Sequence, residues 1–161
     1  MLSKYSLRLP KVVYGGESPT DELAVALRRE GARSVVVFTD AALHRLGLVS
    51  PVLEAVESAG VTYQIVDDIP AEPTYSQVQS VVDQVRGVSA DAIVAVGGGS
   101  VMDAAKLAGV CATDAYTVHD LLADPSRAAK QLTTFMVPTT AGTGAEATPN
   151  AIVAVPEDEL K

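Results

Sequence analysis

Two short apolar runs, "SVVVF" (residues 34–38) and "AIVAV" (residues 92–96), constrain the fold of this chain more than any other feature. Both runs are rich in β-branched residues, and neither shows the alternation of a strand that has one face in water. Strands of this kind occur where helices cover both faces of a sheet, which is the usual environment of a parallel strand. The runs therefore predict a parallel sheet between two layers of helices.

Helical patterns alternate with these strands along the chain. Two of them carry residues that begin and end helices, with Ser50 and Pro51 as the predicted N-cap and first helical residue and Gly31 and Gly60 as predicted stops. A third carries valines at spacings of three and four, which mark one face of a helix: Val78, Val81, Val82 and Val85. Further strand patterns are "VTYQIV" (61–66), "TTFMV" (133–137) and a second "AIVAV" (151–155).

This alternation predicts one α/β domain with a doubly wound, Rossmann-like, mostly parallel sheet. In such sheets, ligands bind at the carboxyl ends of the strands. Three chemically distinctive loops follow predicted strands, at Thr39-Asp40, at 97–100 and at 139–143. Their common position predicts a binding site at one edge of the sheet.

The loop Gly97-Gly98-Gly99-Ser100 lies between a strand and a helical pattern. Glycines lack the Cβ atom that would keep a ligand from the backbone, so the free N–H groups at the start of the helix can bind an anion, most commonly a phosphate. The loop is not G-x-G-x-x-G, because Met102 stands at the sixth position, and no Gly-Lys-Ser/Thr follows to make a P-loop. An equally consistent alternative is a tight turn in which Ser100 caps the helix and Asp103 completes a capping box.

Asp40 directly follows the strand at 34–38. A carboxylate there can accept a hydrogen bond from a ribose 2′-hydroxyl and would repel a 2′-phosphate, which favours NAD over NADP. The alternative is that Asp40 only caps the short helix after it.

"PTTAGTGAE" (138–146) places the hydroxyls of Thr139, Thr140 and Thr143 directly after a strand. Hydroxyls and bare N–H groups suit polar, uncharged contacts to a nicotinamide ribose or amide. The local alternative is a capping box, since Thr143 and Glu146 have the spacing for one.

Composition excludes several classes of function. A net charge of −8 over 161 residues leaves no basic stripe for nucleic acid. No apolar run approaches the roughly 18 residues of a membrane span, and no signal peptide is recognisable, so we predict a cytoplasmic protein without a membrane partner. Cys111 is predicted to be a small buried hydrophobic residue. His44 and His119 lack partners at metal-ligand spacing and are predicted to be surface or loop residues, so no catalytic centre can be argued from the residues.

With these residues in view, the chain resembles the iron-containing alcohol dehydrogenase family. "GGGSVMDAAK" (97–106) looks like the family's Gly-Gly-Gly-Ser-Pro-x-Asp-x-x-Lys signature, and "PTTAGTGAEATPN" (138–150) looks like its Pro-Thr-Thr-x-Gly-Thr-Gly-Ser-Glu signature. "FTDAALHRLGLVSPVLEAVESAGV" (38–61) resembles its second strand and following helices, and "AEPT" (71–74) its Pro-Asn-Pro-Thr loop. The resemblance extends over nearly the whole chain.

The resemblance implies that residues 1–161 are the N-terminal dinucleotide-binding domain of a longer two-domain protein. Such a protein transfers a hydride between NAD(P)(H) and a primary alcohol or aldehyde at Fe²⁺ or Zn²⁺, and its metal ligands, one Asp and three His, lie in a helical C-terminal domain. The implied cofactor residues are Asp40, which would select NAD, then Gly97, Gly98, Gly99, Ser100 and Asp103 beside the pyrophosphate and neighbouring ribose, Thr139, Thr140 and Thr143 on the adenine and nicotinamide side, and Asn150 and Lys161.

Three positions depart from the family pattern: Val101 replaces a proline, Ala145 a serine, and Glu72 an asparagine that often contacts the cofactor. The implied metal ligands would lie beyond Lys161, so the 161-residue chain alone is expected to be inactive. Two alternatives stay open, a dinucleotide-binding module without catalysis and, ranked last, a lyase of the dehydroquinate synthase kind. A homo-oligomer is also open.

Overall fold

Four parallel strands form the sheet in the computed structural model, which describes residues 10–156. Their order across the sheet is β2-β1-β3-β4, and each falls on an apolar run of the sequence. The strands are β1 (Ser34–Phe38), β2 (Thr62–Val66), β3 (Ala92–Gly97) and β4 (Thr133–Pro138). The predicted α/β class and parallel sheet are confirmed.

Helices cover both faces of this sheet. They are α1 (Pro19–Arg29), α2 (Ala41–Arg45), α3 (Ser50–Ser58), α4 (Tyr75–Arg86), α5 (Gly99–Val110) and α6 (Val118–Ala123), with a 3₁₀ turn at Pro125–Arg127. Successive strand residues point to opposite faces. In β1, Val35 and Val37 join the apolar cluster of α1 and α3, while Val36 and Phe38 join that of α4, α5 and α6. Burial on both faces is the reason that the run is apolar from Val35 to Phe38.

The strand order reverses between β1 and β3. The chain leaves β1 towards β2 on one side of the sheet and leaves β3 towards β4 on the other. Helices α3 and α5, which follow β1 and β3, therefore lie on opposite faces, and a crevice opens where the order reverses.

Two local predictions are wrong. Ser50 is the first residue of α3 rather than its N-cap, which is Val49, and no side chain caps this helix. The second "AIVAV" lies in none of the four strands of the described part, where Ala154 makes one isolated parallel bridge with Thr74. Within residues 10–156 no helix has the length and apolar character that crossing a bilayer requires.

Cys111 follows α5 and is fully buried, as predicted. Burial raises the pKa of its thiol from 9.0 to about 11, although the charge of Arg86 opposes the shift. Because the thiolate is the reactive form, we expect no reaction of the folded chain with an aromatic disulfide reagent at pH 8. The same assay in concentrated urea should give one equivalent of reacted thiol, and rapid reaction of the folded chain would contradict the burial of Cys111.

Candidate functional site

The three loops singled out in the sequence meet at the carboxyl edge of the sheet. Asp40 follows β1 and Gly97 ends β3, in a register that pairs Phe38 with Ala95. Gly97 in turn pairs with Pro138 of β4, and Thr139 N donates to Gly97 O at 3.0 Å. The loops therefore leave three neighbouring strands side by side at the point where the strand order reverses.

In the 97–99 turn, limited space and not backbone conformation favours glycine at 97 and 98, whereas a Cβ atom at Gly99 would lie at an ordinary 3.5 Å from Thr143 Cβ. None of the three has a positive φ, and Gly98 has φ −83° and ψ −170°, which any residue can adopt. A Cβ atom at Gly97 would lie 2.7 Å from Val101 Cγ2, and one at Gly98 would lie 3.3 Å from Thr140 Oγ1. Gly97 thus makes room for the first turn of α5, while the bare backbone at Gly98 lets the 139–143 loop come close.

The N-terminus of α5 has no side-chain cap. Gly98 is its N-cap, and the predicted alternative of Ser100 as cap with Asp103 in a capping box is wrong. Ser100 Oγ instead accepts a hydrogen bond of 3.1 Å from Glu72 N. An uncapped helix start with unsubstituted backbone is an arrangement that binds anions.

A cavity of about 240 Å³ lies against this helix start. Its lining comes from α5 (Gly99, Ser100, Asp103), from the loop after β4 (Thr143, Ala145), from the loop before α4 (Glu72, Pro73) and from residues 152–154. A larger hollow of about 440 Å³ lies at the amino edge of the sheet, beside Arg33 and Asp91. There Asp91 already accepts hydrogen bonds from Arg33 N and Ser34 N, and ligands of such sheets bind at the carboxyl edge, so we assign the site to the smaller cavity.

Asp103 is buried beside the cavity, with 8% of its surface exposed. Its Oδ1 accepts a hydrogen bond of 2.8 Å from Lys106 Nζ, and its Oδ2 accepts one of 3.1 Å from Ile152 N. Asp103 is implied by the family resemblance to lie beside the cofactor, and no role is predicted for Lys106. The i,i+3 spacing of an acid and a base in one helix was the signal for this pair.

Asp40 caps α2, which confirms its local alternative. One carboxylate oxygen, Oδ1, accepts hydrogen bonds from Ala42 N and Leu43 N, both of 2.9 Å. His44 on the same helix contacts Asp67 through Nδ1 and Oδ2 at 2.5 Å, and both side chains are partly exposed, as predicted for His44. The cap uses Oδ1 alone, so the ribose interpretation of Asp40 stays a prediction.

The loop after β4 is a series of turns. Thr139, Thr140 and Thr143 are exposed there, and Gly142 and Gly144 have φ values of 91° and 69°, which favour glycine. Thr143 Oγ1 does contact Glu146 Oε2 at 3.3 Å, but no helix begins at this point, so the capping-box alternative is wrong. The cofactor contacts of Thr139, Thr140 and Thr143 stay a prediction.

Asn150 is exposed, and its carbonyl oxygen accepts a hydrogen bond of 2.6 Å from Lys106 Nζ, whereas Lys161 lies outside the described residues. Thr39, which precedes Asp40, is fully buried, and its Oγ1 has no hydrogen-bond partner among the residues that the structure describes. Threonine is mostly an exposed residue type, so only the structure shows that this hydroxyl is buried.

The fold is a Rossmann-like α/β domain with a cavity at the carboxyl edge of its parallel sheet. The family model of iron-containing alcohol dehydrogenases matches residues 10–161, and the chain belongs to this family. It is 31% identical over 145 residues to the NAD-dependent methanol dehydrogenase of Bacillus methanolicus, covering 90% of this chain and 38% of that protein.

Solved structures agree with this assignment. An iron-containing alcohol dehydrogenase from Thermotoga maritima matches with a TM-score of 0.85 and 30% identity, over 96% of this chain and 43% of that one. Sulfoacetaldehyde reductase from Bifidobacterium kashiwanohense, solved with NAD⁺, matches with a TM-score of 0.79 and 27% identity, over 92% and 39%. The chain thus spans less than half the length of the relatives that it matches.

Proposed function

We propose that these residues bind NAD as the cofactor domain of a metal-dependent alcohol dehydrogenase. The observation that carries the proposal is the uncapped N-terminus of α5, which opens with bare glycine backbone into a cavity where the strand order reverses. Hydrogen-bond donors and the positive end of a helix dipole together suit a pyrophosphate.

In this proposal, different residues of the site bind different parts of the dinucleotide. Backbone N–H groups at Gly98, Gly99 and Ser100 would bind the pyrophosphate, beside Gly97 and Asp103. The hydroxyls of Thr139, Thr140 and Thr143 would form hydrogen bonds, as donors or acceptors, with the uncharged parts of the cofactor. Asp40 Oδ2, which the helix cap leaves available, would accept a ribose hydroxyl, while Asn150 and Lys161 stay predictions.

The chemistry belongs to the nicotinamide ring, which accepts or donates a hydride when the cofactor is bound. The residues of this chain hold the cofactor and orient it. Two of the relatives, the methanol dehydrogenase and the sulfoacetaldehyde reductase, have names that specify NAD and a small alcohol or aldehyde. We infer the same classes of cofactor and substrate here, and the family match favours this function over the lyase alternative.

The residues 10–156 do not fit a metal ion, because no three His, Cys, Asp or Glu side chains in this part gather as ligands. Iron or zinc therefore enters the proposal only for a longer protein. The cytoplasmic location and the lack of a nucleic-acid or membrane partner stay predictions.

The test is calorimetric titration of the 161-residue chain with NAD and with NADP. We expect NAD to bind, and to bind at least about tenfold more tightly than NADP, which corresponds to roughly 1.4 kcal/mol. Asp40→Asn should narrow this preference, because asparagine keeps the helix cap and removes the charge that repels a 2′-phosphate.

Asp114→Asn is the matched control, since it makes the same change in charge at a side chain that is 95% exposed. It should leave both affinities unchanged. If neither dinucleotide binds the chain, the proposed function is wrong. If Asp40→Asn and Asp114→Asn behave alike, Asp40 does not select the cofactor.

A further inference from the structure

We propose that Asp103 and Lys106 are positioning residues, which hold the backbone of residues 150–152 so that residues 152–154 form one wall of the cofactor cavity. The proposal rests on the proposed function and changes the role of Asp103 within it. Asp103 would act on the cofactor through this wall and not through a direct contact.

The carboxylate of Asp103 is committed to the protein itself. Each of its oxygens already has a partner, Lys106 Nζ for Oδ1 and Ile152 N for Oδ2. The first partner lies in the same helix, and the second lies 49 positions further along the chain. Asp103 therefore links α5 to a distant segment that belongs to no regular element of the described part.

Lys106 makes a second link to the same segment. Its ammonium group donates to Asp103 Oδ1 at 2.8 Å, to Asn150 O at 2.6 Å and to Thr148 Oγ1 at 3.5 Å. An ammonium group has three protons to donate, and the three acceptors match that number. Its side chain is 13% exposed and that of Asp103 is 11% exposed, so water screens the pair little.

The other side of the segment is bonded to the loop before α4. Ala154 N donates to Pro73 O at 2.9 Å, and Tyr75 N donates to Ala154 O at 3.1 Å. Residues 152–154 line the cavity together with Gly99 and Ser100. The wall is thus held from two directions, by the charged pair on α5 and by the backbone at 73–75.

The hydrogen bond from Ile152 N provides the sharpest test, because its loss leaves both charged side chains intact. Ile152→Pro removes this N–H group, and Ile152→Ala keeps it while removing a side chain that is 62% exposed. We expect Ile152→Pro to increase amide hydrogen exchange across 150–156 and to weaken NAD binding at least about tenfold, an amount that one hydrogen bond to a charged group can supply. Ile152→Ala should leave hydrogen exchange across 150–156 unchanged. Because this side chain lines the cavity, the loss of affinity in Ile152→Pro is measured relative to Ile152→Ala.

A double variant, Asp103→Leu with Lys106→Met, tests the same link if Ile152→Pro does not fold, because leucine at 103 has no acceptor for Ile152 N. It removes both charges together, so no unpaired charge stays buried. It should likewise increase exchange across 150–156 and weaken NAD binding. Normal exchange and normal affinity in this variant would overturn the proposal.

The single variant Asp103→Asn separates positioning from direct contact. Its amide oxygen can still accept the hydrogen bond from Ile152 N, so a positioning role predicts a smaller loss of affinity than in Ile152→Pro. A large loss with unchanged exchange would show direct contact with the cofactor and would overturn the proposal. If the unmodified chain binds no dinucleotide, the proposed function fails, and the exchange difference between Ile152→Pro and Ile152→Ala still decides whether Asp103 holds the segment.

Discussion

Replacing Gly98 with valine should weaken NAD binding by about 10- to 100-fold, the range expected when one or two hydrogen bonds to a charged group are lost. Valine would place branched carbon atoms over the N–H groups at the start of α5, where the pyrophosphate is proposed to lie. A Cβ atom at this position also lies 3.3 Å from Thr140 Oγ1, so the loop after β4 must shift slightly. Calorimetric titration with NAD measures the loss.

The backbone at Gly98 accepts valine without conformational strain, because its φ of −83° and ψ of −170° are open to every residue. The variant should therefore fold, which thermal unfolding checks. Gly15→Val is the matched control, since a Cβ atom at Gly15 would have no neighbour within 4 Å. An unchanged affinity in Gly98→Val would show that the glycine turn does not hold the cofactor.

Phe38→Ala should lower the free energy of unfolding by about 3–5 kcal/mol, the usual cost of removing a buried aromatic side chain. Phe38 is fully buried in the cluster between the sheet and helices α4 and α5. Because the total stability of a domain is only about 5–15 kcal/mol, this one change removes a large share of it. Urea unfolding should show a lower midpoint with an unchanged slope.

Two control variants give the change in unfolding free energy expected for a smaller change at the same buried position and for a change at an exposed position. Phe38→Leu keeps most of the apolar volume and should cost less than about 1.5 kcal/mol. Val13→Ala changes a side chain that is 78% exposed and should alter stability by no more than about 0.5 kcal/mol. A loss below about 1 kcal/mol in Phe38→Ala would contradict the packing described for the end of β1.

The fold class followed from sequence because burial on both faces leaves a simple signature. A strand between two helical layers is apolar wherever both faces are buried, and β1 is buried and apolar from Val35 to Phe38. The common position of the three loops followed from the parallel sheet, since the carboxyl ends of parallel strands share one edge. That a cofactor binds there stays a prediction.

The partners of the polar side chains did not follow from sequence. Ser100 and Asp103 have the spacing of a capping box, yet Ser100 bonds to Glu72 N and Asp103 to Lys106 and Ile152. The distant partners depend on how the loops pack, and local spacing carries no information about that. The same holds for Thr39, whose buried hydroxyl becomes visible only when the neighbouring elements are in place.

The two copies of "AIVAV" show the difference between what local sequence predicts and what tertiary packing decides. Composition and periodicity were enough to predict that an apolar run of this kind would be buried in an α/β sheet, and residues 92–96 form its fully buried strand β3. The same five residues at 151–155 lie outside the four strands, with Ile152 exposed and bonded through its N–H to Asp103. A strand exists only where neighbours satisfy its backbone hydrogen bonds, and β3 has β1 on one side and β4 on the other. Local sequence sets the tendency to extend, whereas packing of distant residues selects which copy becomes a strand and which becomes the wall of a cavity.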